Sequence, residues 1–422
     1  LKGVRIISRR LSILIVIFLV ISFSLVGCIS QAAFNSSSLV QEGDSEGPLE
    51  GTPGEKQAEP MDEPQQETIT LTAVGDILMH NTLIWSGGQP DGSYRFNFFP
   101  EVKELIEQGD YSTTNLETAL AGPATGYTGY PLFNSPDAIA QHLKDYGIDG
   151  VVAANNHLLD RGYSGALRTV EVLEKAGLDT LGTKKKPEDF SALIKEIRGV
   201  KVGYLAYTYG TNGISLPKEH SYFINILEKK RILNDIVALR PQVDVLVLIL
   251  HWGVEYSPEP TEEQRTLARL FLEAGADAII GSHPHVIQPV EVLDIGGKEK
   301  FVAYSLGNFI GDQRGEERNS GVILQLKFLQ EKRVVQSQAP NEDTSTPQIS
   351  KTTRLEEVLL IPTYSHSYRE KGKQQFRVVP VEEAIQRIKA NKEQILSEND
   401  IPVLENVLKT TQERLGFTRF SK

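Results

Sequence analysis

The chain has 422 residues, a single cysteine, 44 basic against 55 acidic side chains and a formal net charge of −11 at pH 7. A surface that acidic repels nucleic acid and anionic lipid, which excludes binding to either by bulk electrostatics. One cysteine also rules out an intrachain disulfide, so the fold must be held by its apolar core.

From the amino end, residues 1–27 join Lys2, Arg5, Arg9 and Arg10 to the apolar run LSILIVIFLVISFSLV, the pattern of a secretory signal peptide. The run ends in LVGC, which resembles a bacterial lipobox. Cys28 is therefore expected to be lipidated and to anchor the mature chain at the extracytoplasmic face of the bacterial cell membrane. An uncleaved signal anchor is the alternative. Removing the four basic residues takes the net charge from −11 to −15. Residues 28–66 carry four prolines, eight acids and one lysine. That composition cannot bury a core and predicts a disordered acidic linker.

Beyond it, strand-like and helix-like runs alternate. Strands are predicted at 68–75, 150–154, 201–208, 243–251, 277–281 and 300–307, each short, apolar and rich in β-branched residues. Helices are predicted within 98–109, 135–147, 164–177 and 261–275, all ending in glycine, with Ser135 and Thr261 as opening caps. This order predicts an α/β fold with sheets buried on both faces, its main domain spanning 67–330. GVILQLKF, RLEEVLLIPTYSH and QQFRVVPV predict later antiparallel strands completing it over 331–380, split by the polar insert QSQAPNEDTSTPQ. Residues 381–422 read as a charged helical tail.

The chemistry collects where strands end. GDILMH supplies Asp76 and His80, STTNLE supplies Asn115 and Glu117, and NNHLLD supplies Asn155, Asn156, His157 and Asp160. HWGVE supplies His251 and Glu255, and GSHPH supplies His283 and His285. Strand ends are where α/β sheets bind ligands. Five of the eight histidines lie in these turns; His142, His220 and His366 do not. Carboxylate, amide oxygen and imidazole together form a donor set for Mn, Fe or Zn, singly or as a pair, rather than for Ca or Mg alone. Each residue also has a plain structural reading: Asp76 as a helix cap, Glu117 as a solvated turn acid, the asparagines as left-handed turn formers, His251 as a core histidine. In GSHPH, histidines two apart on an extended backbone would face one side as a metal clamp, or serve as ordinary turn residues.

The ordered series GD…NLE…NNH…HWG.E…G.HPH…SLGNF resembles the poly-γ-glutamate capsule synthesis (CapA-type) family, which is similar in fold to the calcineurin-like metallophosphoesterases. The resemblance covers residues 67–325. It implies a four-layer α/β/β/α sandwich with a centre of one or two divalent metals at its strand ends. It places Asp76, Glu117, Asn156, His251, His283 and His285 at ligand positions, with His80 a further possible ligand. His157, with Asp76, is expected to carry the catalysis, His157 acting on the leaving group. Asn115, Asn155, Glu255, Asn308 and Arg314 are expected behind the ligands or against substrate. The chain departs from the metallophosphoesterase pattern in three places. Asp76 and His80 are four apart rather than two, Glu117 replaces a bridging aspartate, and Asn155 replaces a glycine. The function implied is metal-dependent hydrolysis in capsule or poly-γ-glutamate synthesis, with capsule synthase subunits as possible partners. The alternative is a non-catalytic component that binds or exports the polymer.

Overall fold

Two periodicities build the molecule, alternation of two along strands and of three to four along helices. The computed structural model describes residues 65–335 and 348–421. The expected signal segment, Cys28, most of the acidic linker and all but the last residue of the polar insert lie outside the described residues. In chain order the first half contains β1 (Gln65–Ile77), α1 (Asn81–Gly87), α2 (Lys103–Glu107), β2 (Tyr111–Leu116), α3 (Ala138–Asp145), β3 (Gly150–Val152), α4 (Gly162–Lys175) and β4 (Asp179–Leu181). There follow β5 (Ala192–Ile197), β6 (Val200–Thr208), α5 (Lys229–Leu239), β7 (Val245–His251), α6 (Glu262–Ala274), β8 (Ala278–Ser282), β9 (Val290–Asp294), β10 (Glu299–Ala303) and β11 (Asn308–Ile310). The chain closes with β12 (Ser320–Val335), β13 (Gln348–Glu370), β14 (Lys373–Pro380), α7 (Val381–Lys389), α8 (Ile401–Leu415) and β15 (Arg419–Ser421).

One sheet runs β14-β13-β12-β1-β2-β3-β4, with β11 added beside β1 and β15 beside β13. Its β1 to β4 are parallel, and β12 to β14 are antiparallel. The other runs β5-β6-β7-β8-β10-β9, parallel from β6 to β10. Alternation sorts the side chains into layers. Leu71, Ala73 and Val152 face Val202, Val247, Ile249 and Phe301 in the core between the sheets. Their neighbours Val74 and Val151 point the other way, onto Ile84, Ile106, Ile139 and Leu143 of the first helical layer. Leu205, Leu246 and Leu248 likewise meet Ile232, Ile236, Phe271 and Leu272 of α5 and α6. The result is the expected α/β/β/α sandwich. Among the described residues no helix is long and apolar enough to cross a membrane.

Several boundaries move. Gln65 and Gln66 already pair with Lys332 and Glu331, so the sheet begins inside the stretch expected as linker. β12 runs unbroken through residue 330, and its pairing with β1 and β13 makes β12, β13 and β14 part of the same sheet as β1. The expected tail is two helices followed by β15, which returns to pair with Glu357–Leu359. Thr261 caps α6 through a reciprocal box with Gln264. Ser135 caps nothing, because its hydroxyl bonds the Thr118 hydroxyl at 2.8 Å and α3 starts only at Ala138. The sequence gives no apolar run for β2. Its Ser112, Thr113 and Thr114 are buried with hydroxyls donating to the carbonyls of Ile106, Thr72 and Gly75, so polarity hides a central strand.

Candidate metal centre

The carboxyl ends of β1, β2 and β3 in one sheet meet those of β7 and β8 in the other. Gly75 makes the approach possible. A Cβ there would lie 2.2 Å from the Gly307 carbonyl oxygen, and the neighbouring Asp76 N–H donates to that oxygen at 2.8 Å. Asp76 and Glu117 are fully buried at the ends of β1 and β2. Asn115 stands between them. Its Nδ2 donates to Asp76 Oδ1 at 2.8 Å and Glu117 Oε2 at 3.1 Å, and its Oδ1 accepts from Asn155 Nδ2 at 3.1 Å. Asn155 also donates to the Leu116 carbonyl and accepts the His157 N–H. Neither Asn155 nor Asn156 is among the residues of positive φ, so neither serves as a left-handed turn former.

His251 ends β7. Its Nδ1 lies 3.0 Å from the Ser282 hydroxyl and its Nε2 3.0 Å from Asn156 Oδ1. His283 and His285 follow β8, but not on an extended backbone. Both have positive φ, 96° and 56°, so a left-handed turn around Pro284, rather than strand alternation, brings the rings to 6.0 Å from each other. Backbone strain of this kind costs roughly 1–3 kcal/mol per residue and collects at working sites. The His283 N–H donates to Asp76 Oδ2. His285 reaches Asp76 Oδ2 with Nδ1 at 3.3 Å and Glu117 Oε1 with Nε2 at 3.4 Å, while Asn308 Oδ1 lies 3.1 Å from its Nδ1.

Three donor groups emerge among the described residues, Asp76–Glu117–His285, Glu117–His251–His283 and Glu255–His283–His285, and the first two share Glu117. Glu117 Oε1 faces the His285 and His251 rings at 3.4 and 3.8 Å without a well-aligned hydrogen bond, and His283 Nδ1 is buried without one. Poorly satisfied buried acceptors cost on the order of 1–3 kcal/mol each, and two that converge in one donor cluster fit a cation. The protonation states agree. Burial lowers His251 well below the ordinary histidine value and His283 to about 4, leaving neutral lone-pair donors. Burial also raises Glu117, an effect partly offset by His285. Burial alone would lower His285, yet the charges of Glu117 and Asp76 and their hydrogen bonds hold it well above its usual value. Its proton occupies the electrostatic place a cation would take.

The six expected ligands thus come together: Asp76, Glu117, His251, His283 and His285 by their charges and lone pairs, Asn156 by its oxygen beside His251. His80 does not join them. Its Nδ1 accepts the Asp312 N–H at 3.2 Å, its ring meets Phe133 edge-on, and it belongs to neither group, because the chain turns into α1 immediately after it. Glu255 is exposed, yet its carboxylate falls within reach of His283 and His285. Asn308 stands behind His285. Arg314 is exposed with no side-chain contact among the described residues, whereas Arg318 lies over the Tyr256 ring.

His157 is buried beside this centre, with Nδ1 2.7 Å from Asp160 Oδ2. That oxygen also accepts the Phe133 N–H at 2.7 Å, and the Phe133 ring packs edge-on against the imidazole. A carboxylate can only accept, so Nδ1 carries the hydrogen and the neutral ring keeps its lone pair on Nε2, 3.5 Å from Asn212 Nδ2. Sequence reading noted Asp160 without a role; its position three beyond His157 was the available signal. Tyr209, packed on His283, and Asn212, bonded to Asn156, carried no such signal.

Sheets packed face to face between helices, with imidazoles and carboxylates gathered where the strands end, define a four-layer α/β/β/α sandwich with a candidate divalent-metal centre. The chain belongs to the bacterial capsule synthesis protein family PGA_cap, whose model matches residues 70–313. It is 28% identical over 275 residues to the capsule biosynthesis protein CapA of Bacillus anthracis, covering 63% of this chain and 65% of that one. It is 27% identical to the PGA biosynthesis protein CapA of Bacillus subtilis, covering 61% and 67%. The match therefore spans about two thirds of these relatives. Among solved structures it is similar to an NAD nucleotidase of Haemophilus influenzae, at 14% identity and a TM-score of 0.40, over 82% of this chain and 63% of that one.

Proposed function

We propose that this protein is an exported, lipid-anchored hydrolase of capsule or other polyanionic surface polymer. The observation that carries this reading is Glu117, a buried carboxylate shared by two donor groups, one of whose oxygens faces imidazole nitrogens without a well-aligned hydrogen bond. Asp76, Glu117, Asn156, His251, His283 and His285 would hold one or two ions of Mn, Fe or Zn. Such ions supply polarisation of a scissile oxygen and activation of water. The chain supplies the rest. Asn115 fixes both carboxylates through one amide. Asp160 accepts the His157 Nδ1–H and so orients the ring, whose Nε2, in the doubly protonated imidazolium, would pass its proton to a leaving group and be left with the lone pair; Asn155 pins the backbone. Anchoring through Cys28 would place this chemistry at the membrane, beside the polymer and any capsule synthase subunits.

The test is hydrolysis of phosphodiesters and of γ-glutamyl polymer by the purified chain supplied with Mn, Fe or Zn. Turnover on either, abolished by chelation, supports the reading. With no turnover on any of them, capture or export of the polymer replaces hydrolysis as the function. Replacing Cys28 by Ser should abolish lipid labelling, and unchanged labelling would remove the anchor.

A further inference from the structure

We infer that Arg318, laid across Tyr256, forms an anion-recognition subsite for a carboxylate of the substrate polymer, outside the bond that is cleaved. The inference rests on the polymer reading above and names a residue for its specificity. The guanidinium carbon lies 3.8 Å from the Tyr256 ring centroid, and that ring lies 6.1 Å from the His285 ring. Arg318 is therefore one aromatic ring away from the metal centre.

Both members are held in place. The Arg318 carbonyl accepts from Asn308 Nδ2 at 2.6 Å, and Asn308 Oδ1 contacts His285. Tyr256 adopts a positive φ of 63°, rare for a bulky residue, and its N–H donates to the Pro284 carbonyl between the two histidines. Its hydroxyl accepts from Gln313 Nε2, and Gln313 Oε1 accepts from Asn308. Among the described residues no carboxylate pairs with the Arg318 guanidinium, in contrast to Arg377, which pairs with two. A guanidinium flattened on a ring is dry on one face and presents its N–H edge as a fork for an oxyanion. In a chain of net charge −11, with Glu255 exposed on the preceding residue, such a fixed cation is what an acidic polymer needs to approach the centre.

The experiment is calorimetric titration of the metal-loaded full chain with a short γ-glutamyl oligomer and with glutarate. Arg318→Gln should weaken both by about 10–100-fold, with metal content and Tm at wild-type values. Arg318→Lys, keeping charge but not the planar fork, should recover only part. Arg314→Gln removes the same charge four residues away and should bind as wild type. Equal loss in Arg314→Gln and Arg318→Gln would reduce the effect to bulk charge and overturn the subsite, as would wild-type binding by Arg318→Gln. Failure of the wild type to bind either probe overturns it too. In that case retained hydrolysis of bis(p-nitrophenyl) phosphate would leave the metal-centre reading standing alone.

Discussion

Arg377 is buried and the partly buried Glu393 has its side chain largely enclosed, like those of Glu117 and His283, yet the two regions handle their charge in opposite ways. At the junction of β14 with α7, every charge finds a partner. Arg377 pairs with Glu101 at 2.6 Å and Glu393 at 2.9 Å, Arg387 pairs with the same two acids, and Glu393 Oε1 accepts three successive backbone N–H groups. Although burial opposes it, those N–H donors and Arg377 hold Glu393 down at about 2. At the strand ends burial raises Glu117 instead, and one of its oxygens lacks a well-aligned hydrogen bond. A satisfied cluster ties α7 and the segment before α8 to the sheet. An unsatisfied one costs stability, and is retained where something else binds.

The contrast can be broken first at His157. His157→Ala should keep its metal and fold while turnover falls by roughly 10²–10⁴-fold, measured as kcat on whichever polymer or ester is cleaved. His251→Ala should lose metal instead. Equal metal loss in both would make His157 a ligand. Next, Glu393→Gln should destabilise the chain by about 2–3 kcal/mol in urea unfolding, because Arg377 and Arg387 each lose one of their two carboxylate partners and keep Glu101. An effect under about 1 kcal/mol would remove the structural role assigned to that cluster.

Acid sharpens the same difference. A carboxyl held near 2 against an ordinary value of 4.5 stabilises the fold above pH 4.5 and loses that contribution as pH falls toward 2. The stability gap between wild type and Glu393→Gln should therefore be constant from pH 7 to 5 and shrink by on the order of 3 kcal/mol toward pH 2. A gap that does not shrink would show that Glu393 does not act through its ionised form. Desolvation lowers buried His142 and half-buried His366 each to about 4, with the same sign over a higher window, destabilising the fold as pH drops from 6.5 to 4.

At the metal centre the raised His285 predicts that cation uptake at neutral pH releases about one proton, read from binding heats in buffers of different ionisation enthalpy. Buffer-independent heats would contradict the protonated state assigned to it.

Much of this was legible in the residues, and the gaps have physical causes. Apolar runs such as VDVLVLILH announced the central strands, and the clustering of five histidines announced the centre. Two things escaped. Arg318 rather than Arg314 lies near the site, because which residue of a polar loop turns inward depends on the Asn308 and Asn319 hydrogen bonds that shape it. The helix α5 lacks a side-chain cap, so no start signal marked it, although Ile232, Ile236 and Leu239 bury one face. The GSHPH pair was found for the wrong geometric reason, since positive φ at both histidines is invisible in composition.

The central claim is that Glu117 would hold bound metal, and elemental analysis of wild type beside Glu117→Gln tests it most directly. Wild type supplied with Mn, Fe or Zn and then desalted should retain one or two ions per chain and gain Tm. Glu117→Gln should retain neither, while its metal-free stability stays within about 1 kcal/mol of wild type, since the lost carboxylate was unfavourably buried. Equal metal content in the two proteins, or none in wild type with all three metals supplied, would contradict the account.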